Sequence, residues 1–160
     1  MTSSPVWRPD PKLDLVIERT IDVPPELVWT AWTRPEHTSK WFTPAPWTVT
    51  ECEIDLRPGG IFRTVMRSPE GEEAVNLGCY LEIVPNQRLV WSDALLAGFR
   101  PSAHPFMTAI MTFERQGNAT RYTAMAVHRD QATRDRHEEM GFYDGWGTVT
   151  DQLAALVKTL

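Results

Sequence analysis

The chain has 160 residues, of which 42% are hydrophobic and 23% are charged, and its net charge is -5 at pH 7. That length suits one domain whose core needs neither disulfides nor a structural metal. The acidic balance argues against a nucleic-acid partner, because phosphate binding requires a basic face. We therefore predict a single domain over residues 1–160, with a core at about 13–158 and an N-terminal arm at 1–12.

The first part of the core carries one strand signal and two helix signals. Apolar and polar residues alternate over 13–23, which predicts a half-buried strand. A Pro-Pro pair then begins a helix that runs through Thr33, because proline suits the first turn of a helix. Pro35 begins a second, short helix that runs through Trp41.

The middle of the chain carries further strand signals separated by short turns. Turns rich in proline and glycine, such as 57–60, predict hairpins between consecutive strands. Consecutive hairpins in turn predict an antiparallel sheet. The strands are expected at 47–56, 61–67, 74–84, 88–94, 106–115 and 121–128, with a looser loop at 95–105.

The last segment, residues 130–160, lacks proline and repeats apolar residues at three-to-four spacing, which predicts one long helix. Gly141, Gly145 and Gly147 each cost a helix about 1 kcal/mol relative to alanine, so their presence needs compensation. Either their face packs closely against a neighbour, or the missing side chains leave room for a ligand. The predicted fold class is α+β, with a curved antiparallel sheet around a long C-terminal helix and two short helices.

The cellular setting is predicted from the N-terminus and the cysteines. Residues 1–5 carry no basic and apolar run of the signal-peptide kind. No segment approaches the ~20 apolar residues of a membrane span. Cys52 and Cys79 lie in strand-like segments without a CxxC spacing, so we interpret them as reduced thiols that are buried or half-buried, with a disulfide as the alternative. We expect a cytoplasmic protein with no membrane partner.

Large aromatic and methionine side chains recur where the strands should face inward. Alternation places Phe62, Thr64 and Met66 on one face. Such a mixture suits an apolar pocket with a few polar anchors, although an ordinary core is the commoner reason for it. The residues predicted to line the pocket are Trp32, Phe62, Met66, Trp91, Met111, Tyr122, His128, Met140, Tyr143 and Trp146.

The polar residues match no known catalytic or metal motif. The four histidines lack metal-site spacing, and residues 137–141 lack the second histidine of HExxH. No phosphate-binding loop or catalytic-serine motif occurs. We therefore expect no cofactor and no metal, and we assign no catalytic residue. His128, at a strand end, could face the pocket as an acid–base group or donor, while a structural role is the commoner case.

Several segments resemble one family, in the same order along the chain. Residues 18–24 and 28–33 resemble its opening strand and helix, 35–42 its second helix and 55–60 its hairpin. Residues 81–90 resemble its central strands and 141–153 its terminal helix. The family comprises homologues of the activator of heat-shock-protein-90 ATPase, within the START-like SRPBCC superfamily. The resemblance implies a helix-grip fold with a deep hydrophobic cavity, in a superfamily that binds apolar molecules and includes cyclases and aromatases.

Three functions follow from these observations. The inward aromatic residues and the resemblance favour a protein that binds a small hydrophobic molecule in an internal cavity. The first alternative is a cyclase-like or hydrolase-like enzyme, which needs a titratable base in the cavity. The second is a chaperone activator or interaction module, which needs an exposed apolar patch; a homodimer is also left open. The candidate bases are His128, Asp93, Asp130, Glu138, Glu139 and Asp144.

Overall fold

The computed structural model describes residues 8–160. Its strands are β1 (Asp14–Ile21), β2 (Thr48–Ile54), β3 (Ile61–Arg67), β4 (Glu73–Val84), β5 (Arg88–Ser92), β6 (Leu95–Leu96), β7 (Arg100–Pro101), β8 (Thr108–Gln116) and β9 (Ala119–Val127). Its helices are α1 (Pro25–Thr33), α2 (Pro35–Thr38), α3 (Gln131–Glu139) and α4 (Phe142–Val157). Residues 1–7 of the predicted N-terminal arm lie outside the described residues.

A curved antiparallel sheet runs through the described residues in the order β1-β9-β8-β5-β4-β3-β2, and β6 pairs with β7 apart from it. This architecture confirms the predicted α+β fold. Two predicted details are wrong. The second helix ends at Thr38 rather than Trp41, since residues beyond it form turns, and the loop predicted at 95–105 contains the short β6–β7 ribbon. No helix within residues 8–160 is long and apolar enough to cross a membrane.

The inner face of the sheet carries the predicted apolar rows. Ile17 pairs with Ala124, Ala124 with Met111, and Met111 with Leu89, so one row crosses β1, β9, β8 and β5. All four side chains are buried. One small residue, Ala124, lies among the larger side chains of the row, which leaves room for close packing against the sheet.

Hydrogen bonds tie the helices to the sheet and to one another. The indole nitrogen of Trp32 on α1 donates to the hydroxyl of Tyr122 on β9 at 3.1 Å. The side-chain amide of Gln152 on α4 donates to the carbonyls of Trp41 and Thr43 at 3.0 and 2.8 Å. The connection between α2 and β2 is therefore held against α4 and closes one side of the interior.

The C-terminal segment forms two helices, so the prediction of one continuous helix over 130–160 is wrong. Gly141 has φ of +94°, a left-handed conformation that only glycine adopts readily. The amide of Gly141 donates to the carbonyl of Glu138 at 3.0 Å, while its own carbonyl begins α4 by accepting from Gly145 at 2.7 Å. Asp130 caps the start of α3 by accepting from the amide of Thr133 at 2.8 Å.

Candidate functional site

An aromatic cluster fills the inner side of β3, β4 and β5. The ring of Phe62 lies 5.0 Å from Trp91, 5.3 Å from Phe42 and 5.5 Å from Tyr80, measured between ring centroids. Trp91 can lie this close to β4 because Gly78, two residues before its partner Tyr80, has no side chain; a Cβ added there would stand 3.2 Å from the indole. We call this cluster the aromatic interior; its members are Trp32, Trp41, Phe42, Phe62, Tyr80 and Trp91.

Three polar atoms in or beside the aromatic interior have no hydrogen-bond partner. They are the hydroxyl of Tyr80, the indole nitrogen of Trp91 and the hydroxyl of Thr64. These residues are 0%, 2% and 0% exposed. Tyr80 and Trp91 face each other across β4 and β5, and Thr64 follows Phe62 on the same face of β3. Buried polar groups nearly always have a hydrogen-bond partner, so three unpartnered groups in one region are unusual.

Burial keeps the titratable groups near these atoms neutral. Desolvation raises the pKa of Tyr80 far above its ordinary value, and the neighbouring Cys52 raises it further. Desolvation also raises the pKa of Cys52 to about 11. Cys52 and Cys79 are both free thiols. The Tyr80 hydroxyl therefore remains a hydrogen-bond donor at neutral pH, in surroundings that disfavour charge.

Two histidines form a second polar feature, at the end of β9. Nδ1 of His128 lies 2.7 Å from the carbonyl oxygen of Leu13, and Nε2 of His128 lies 2.9 Å from Nδ1 of His137. A carbonyl oxygen can only accept, so we assign the proton of neutral His128 to Nδ1. His137 then donates through Nδ1, and its Nε2 keeps a lone pair. We call these two residues the histidine pair.

Aromatic rings surround His137. Its ring centroid lies 4.9 Å from that of Phe106, 5.1 Å from Phe142 and 6.0 Å from Trp146. Burial, with the neighbouring His128 adding to it, lowers the pKa of His137 to about 4. The imidazole is therefore neutral at pH 7. Met107 and Trp146 pack against both the buried cluster that contains Phe142 and the main core, which makes these two clusters contiguous.

The glycine face of the C-terminal segment borders open space. A Cβ added at Gly141 or Gly145 would meet no atom within 4 Å. The interpretation that this face packs closely against a neighbour is therefore wrong. At Gly147 an added Cβ would lie 3.5 Å from the guanidinium of Arg19, which is an ordinary contact.

The structure brings five of the ten residues predicted to line the pocket into the main core. Met66 is half-buried farther along the inner face of β3. Met140 and Tyr143 lie at the surface, 68% and 48% exposed, because the break at Gly141 ends α3 beside solvent. His128 and Trp146 lie at the histidine pair. The predicted residues that share the main core are Trp32, Phe62, Trp91, Met111 and Tyr122.

Tyr80 and His137 were not predicted as site residues. Gly78 pairs with Phe62, so alternation along the first part of β4 places Tyr80 on the inner face, and only a count back across the register shift between Tyr80 and Glu82 misplaces it. The pairing of β3 with β4 was therefore the signal that could have found Tyr80. His137 meets His128 through the tertiary packing of α3, and its spacing along the chain gave no sign of the contact.

Two grooves lie outside the aromatic interior. One, of about 770 Å³, follows the outer face of the sheet, where Val16, Ile110 and Met125 line it. The other lies beside Gly59 and Phe99. Within residues 8–160, no group of three or more His, Cys, Asp or Glu side chains is placed to hold a metal ion.

Comparisons with known proteins place this geometry in a family. The family model described as "Activator of Hsp90 ATPase homolog 1-like protein" matches residues 22–158. A crystal structure of a protein from Nitrosomonas europaea is 47% identical, covers 94% of this chain and 97% of its own, and has a TM-score of 0.90. None of the curated proteins matches.

More distant structures share the fold. A crystal structure of a protein from Mycobacterium smegmatis is 24% identical, with a TM-score of 0.77 and coverage of 91% of this chain and 90% of that one. The solution structure of an AHSA1-like protein from Aeromonas hydrophila is 19% identical, with a TM-score of 0.71 and coverage of 92% and 93%. Because the family model spans residues 22–158, the chain belongs to the Activator of Hsp90 ATPase homolog 1-like family.

Proposed function

We propose that this protein binds a small, uncharged, largely hydrophobic molecule that carries a hydrogen-bond-accepting oxygen. The observation that carries the proposal is the set of unpartnered donors at Tyr80, Trp91 and Thr64, buried within an aromatic surround. Ligand sites typically combine apolar walls with a few converging polar groups. A carbonyl oxygen placed between these donors would satisfy them, while the aromatic rings would contact the rest of the molecule.

Phe42 is the candidate entrance. It is half-buried and lies in the connection between α2 and β2, outside any helix or strand, whereas Trp41 beside it is fixed by an indole hydrogen bond to the carbonyl of Ala31 at 3.0 Å. Rotation of the Phe42 ring would expose Phe62, against which it packs. Side-chain movement of this kind is common when proteins bind ligands.

The test compares two probes that differ in one oxygen. 2-Acetonaphthone carries a ketone, and 2-ethylnaphthalene has the same ring system without an acceptor. We expect the wild-type protein to bind the ketone about tenfold more tightly, the ratio that one buried hydrogen bond supports. Isothermal titration calorimetry or quenching of tryptophan fluorescence measures both affinities.

A matched pair of tyrosine variants shows which hydroxyl causes the preference for the ketone. Tyr80→Phe removes an unpartnered hydroxyl and should abolish the preference for the ketone. Tyr122→Phe removes a buried hydroxyl that already pairs with Trp32, and should leave the preference intact. Absence of saturable binding by both probes, or an unchanged preference in Tyr80→Phe, would contradict the proposal.

The enzyme alternative is favoured by one observation, the buried titratable histidines. Two of the carboxylates proposed as bases have structural contacts instead: Asp93 accepts from the amides of Phe106 and Met107 at 2.7 and 3.0 Å, and Asp130 caps α3. His128 lies in the interior but has both ring nitrogens engaged. A chaperone-activating role and a homodimer stay predictions.

A further inference from the structure

The histidine pair forms a directed chain of hydrogen bonds. Its first link joins Nδ1 of His128 to the carbonyl of Leu13 at 2.7 Å, and its second joins Nδ1 of His137 to Nε2 of His128 at 2.9 Å. His128 therefore has no ring nitrogen left for a ligand. The chain ends at Nε2 of His137, and within residues 8–160 no group forms a hydrogen bond to that atom.

The surroundings of His137 suit an aromatic ligand. Its ring is 7% exposed and packs against Phe106, Phe142 and Trp146. Gly145 lies beside the face that carries Phe142 and Trp146, and space adjoins it. Nε2 of His137 keeps a lone pair that no group within residues 8–160 uses, and a neutral imidazole nitrogen of this kind is a hydrogen-bond acceptor.

We propose that Nε2 of His137 is a recognition group that accepts a hydrogen bond from the hydroxyl of a phenolic ligand. His128 is the positioning residue, since its contact with Leu13 fixes the tautomer that leaves this lone pair available. The inference rests on the proposed function and extends it. Met107 and Trp146 pack against both the cluster that contains Phe142 and the main core, so the site at His137 adjoins the interior in which the Tyr80 hydroxyl lies.

Other ligand chemistries fit this nitrogen less well. A carboxylate offers no proton to a lone pair, and an ammonium group would lose its hydration among aromatic edges. A resident metal would need further donors, and none is grouped there within residues 8–160. A neutral hydroxyl supplies one proton and loses little hydration, and a flat aromatic ring matches the three rings around the site.

The experiment uses 2-naphthol and 2-methoxynaphthalene, which share a ring system but differ in the donor proton. In protein labelled with ¹⁵N-histidine, 2-naphthol should shift the Nε2 resonance of His137, and 2-methoxynaphthalene should not. We expect wild-type protein to bind 2-naphthol about tenfold more tightly. His137→Phe keeps the aromatic packing and should remove this preference without weakening the binding of 2-methoxynaphthalene.

The outcomes separate this inference from the proposed function. Equal binding of the two naphthalenes by wild-type protein, or a preference that survives in His137→Phe, overturns the role of His137 alone. Failure of both to bind overturns both proposals. His104→Gln alters an exposed histidine and is the control; it should leave the affinities for both naphthalenes unchanged. If His137→Phe does not fold, the resonance shift in wild-type protein decides the question.

Discussion

Tyr80 and Tyr122 are the same residue type in similar positions, yet their hydroxyls have different surroundings. Both side chains lie on the inner face of the sheet and are almost fully buried. The hydroxyl of Tyr122 accepts from Trp32 at 3.1 Å, whereas that of Tyr80 has no partner. One hydroxyl therefore stabilises the fold, and the other is available for a ligand.

The stability of the two phenylalanine variants should differ for this reason. Tyr122→Phe leaves the indole of Trp32 unpaired and should lower the free energy of unfolding by about 1 kcal/mol. Tyr80→Phe removes a buried group that lacks a partner, so it should leave stability unchanged or raise it by up to about 1 kcal/mol. Urea unfolding of both variants and the wild type measures the difference. Equal losses in both variants would mean that the Tyr80 hydroxyl is already satisfied.

Sequence patterns predict the inward residues wherever a strand is regular. Phe62, Trp91 and Met111 are placed correctly, because period-two alternation holds along β3, β5 and β8. It is interrupted in β4 after Tyr80, where a register shift means that counting back from the end of the strand assigns Tyr80 to the wrong face. The contact of His128 with His137 could not be predicted, since it depends on how α3 docks onto the end of the sheet.

At the scale of elements, the junction between α3 and α4 decides which residues face the interior. The apolar three-to-four pattern begins at Phe142, and residues 130–141 contribute only Ala132 and Met140 to it, so the prediction extended one helix over a segment that lacks the pattern. The positive φ of Gly141 ends one helix and begins the next. Phe142 after it is buried, while Met140 before it lies at the surface. A glycine at the end of a helix is the available signal for this break, in place of the packing face or the ligand space that the sequence suggested for Gly141.

Alanine substitutions at Gly141 and Gly145 should have opposite effects on the stability of the protein. Gly141→Ala forces a left-handed conformation on a residue with a side chain and should destabilise the protein by about 1–2 kcal/mol. Gly145→Ala lies inside α4, where the added methyl meets no atom within 4 Å, and should stabilise it by about 0.5–1 kcal/mol. Thermal and urea unfolding measure both. Destabilisation by Gly145→Ala would show that this face has a close neighbour.

At the scale of the whole molecule, the histidine pair connects three separate parts of the chain. Leu13 precedes β1, His128 follows β9, and His137 belongs to α3, so the two hydrogen bonds attach the helix to an edge of the sheet. The ring of His137 also packs against the ring of Phe142 on α4. Protonation of His137 would place a charge among apolar rings and beside a second histidine, which should weaken this attachment.

The stability of the fold should therefore depend on pH in a defined window. A histidine in the unfolded chain has a pKa near 6.5, whereas burial, with His128 adding to it, lowers the pKa of His137 to about 4. The unfolded state takes up the proton first as pH falls. This stabilisation is fully present above about pH 6.5 and is lost progressively toward pH 4, by roughly 3 kcal/mol at most.

Urea unfolding of wild-type protein, His137→Phe and His104→Gln between pH 7.5 and 4.5 measures this dependence. His137→Phe keeps the aromatic packing but cannot take up a proton, so its stability should fall much less over this range. His104→Gln alters an exposed histidine and should follow the wild type. Carboxylates such as Glu18, whose pKa is lowered by its hydrogen bond to Arg121, weaken the fold at lower pH in all three proteins. A slope that persists in His137→Phe above pH 5 would assign the dependence to another group.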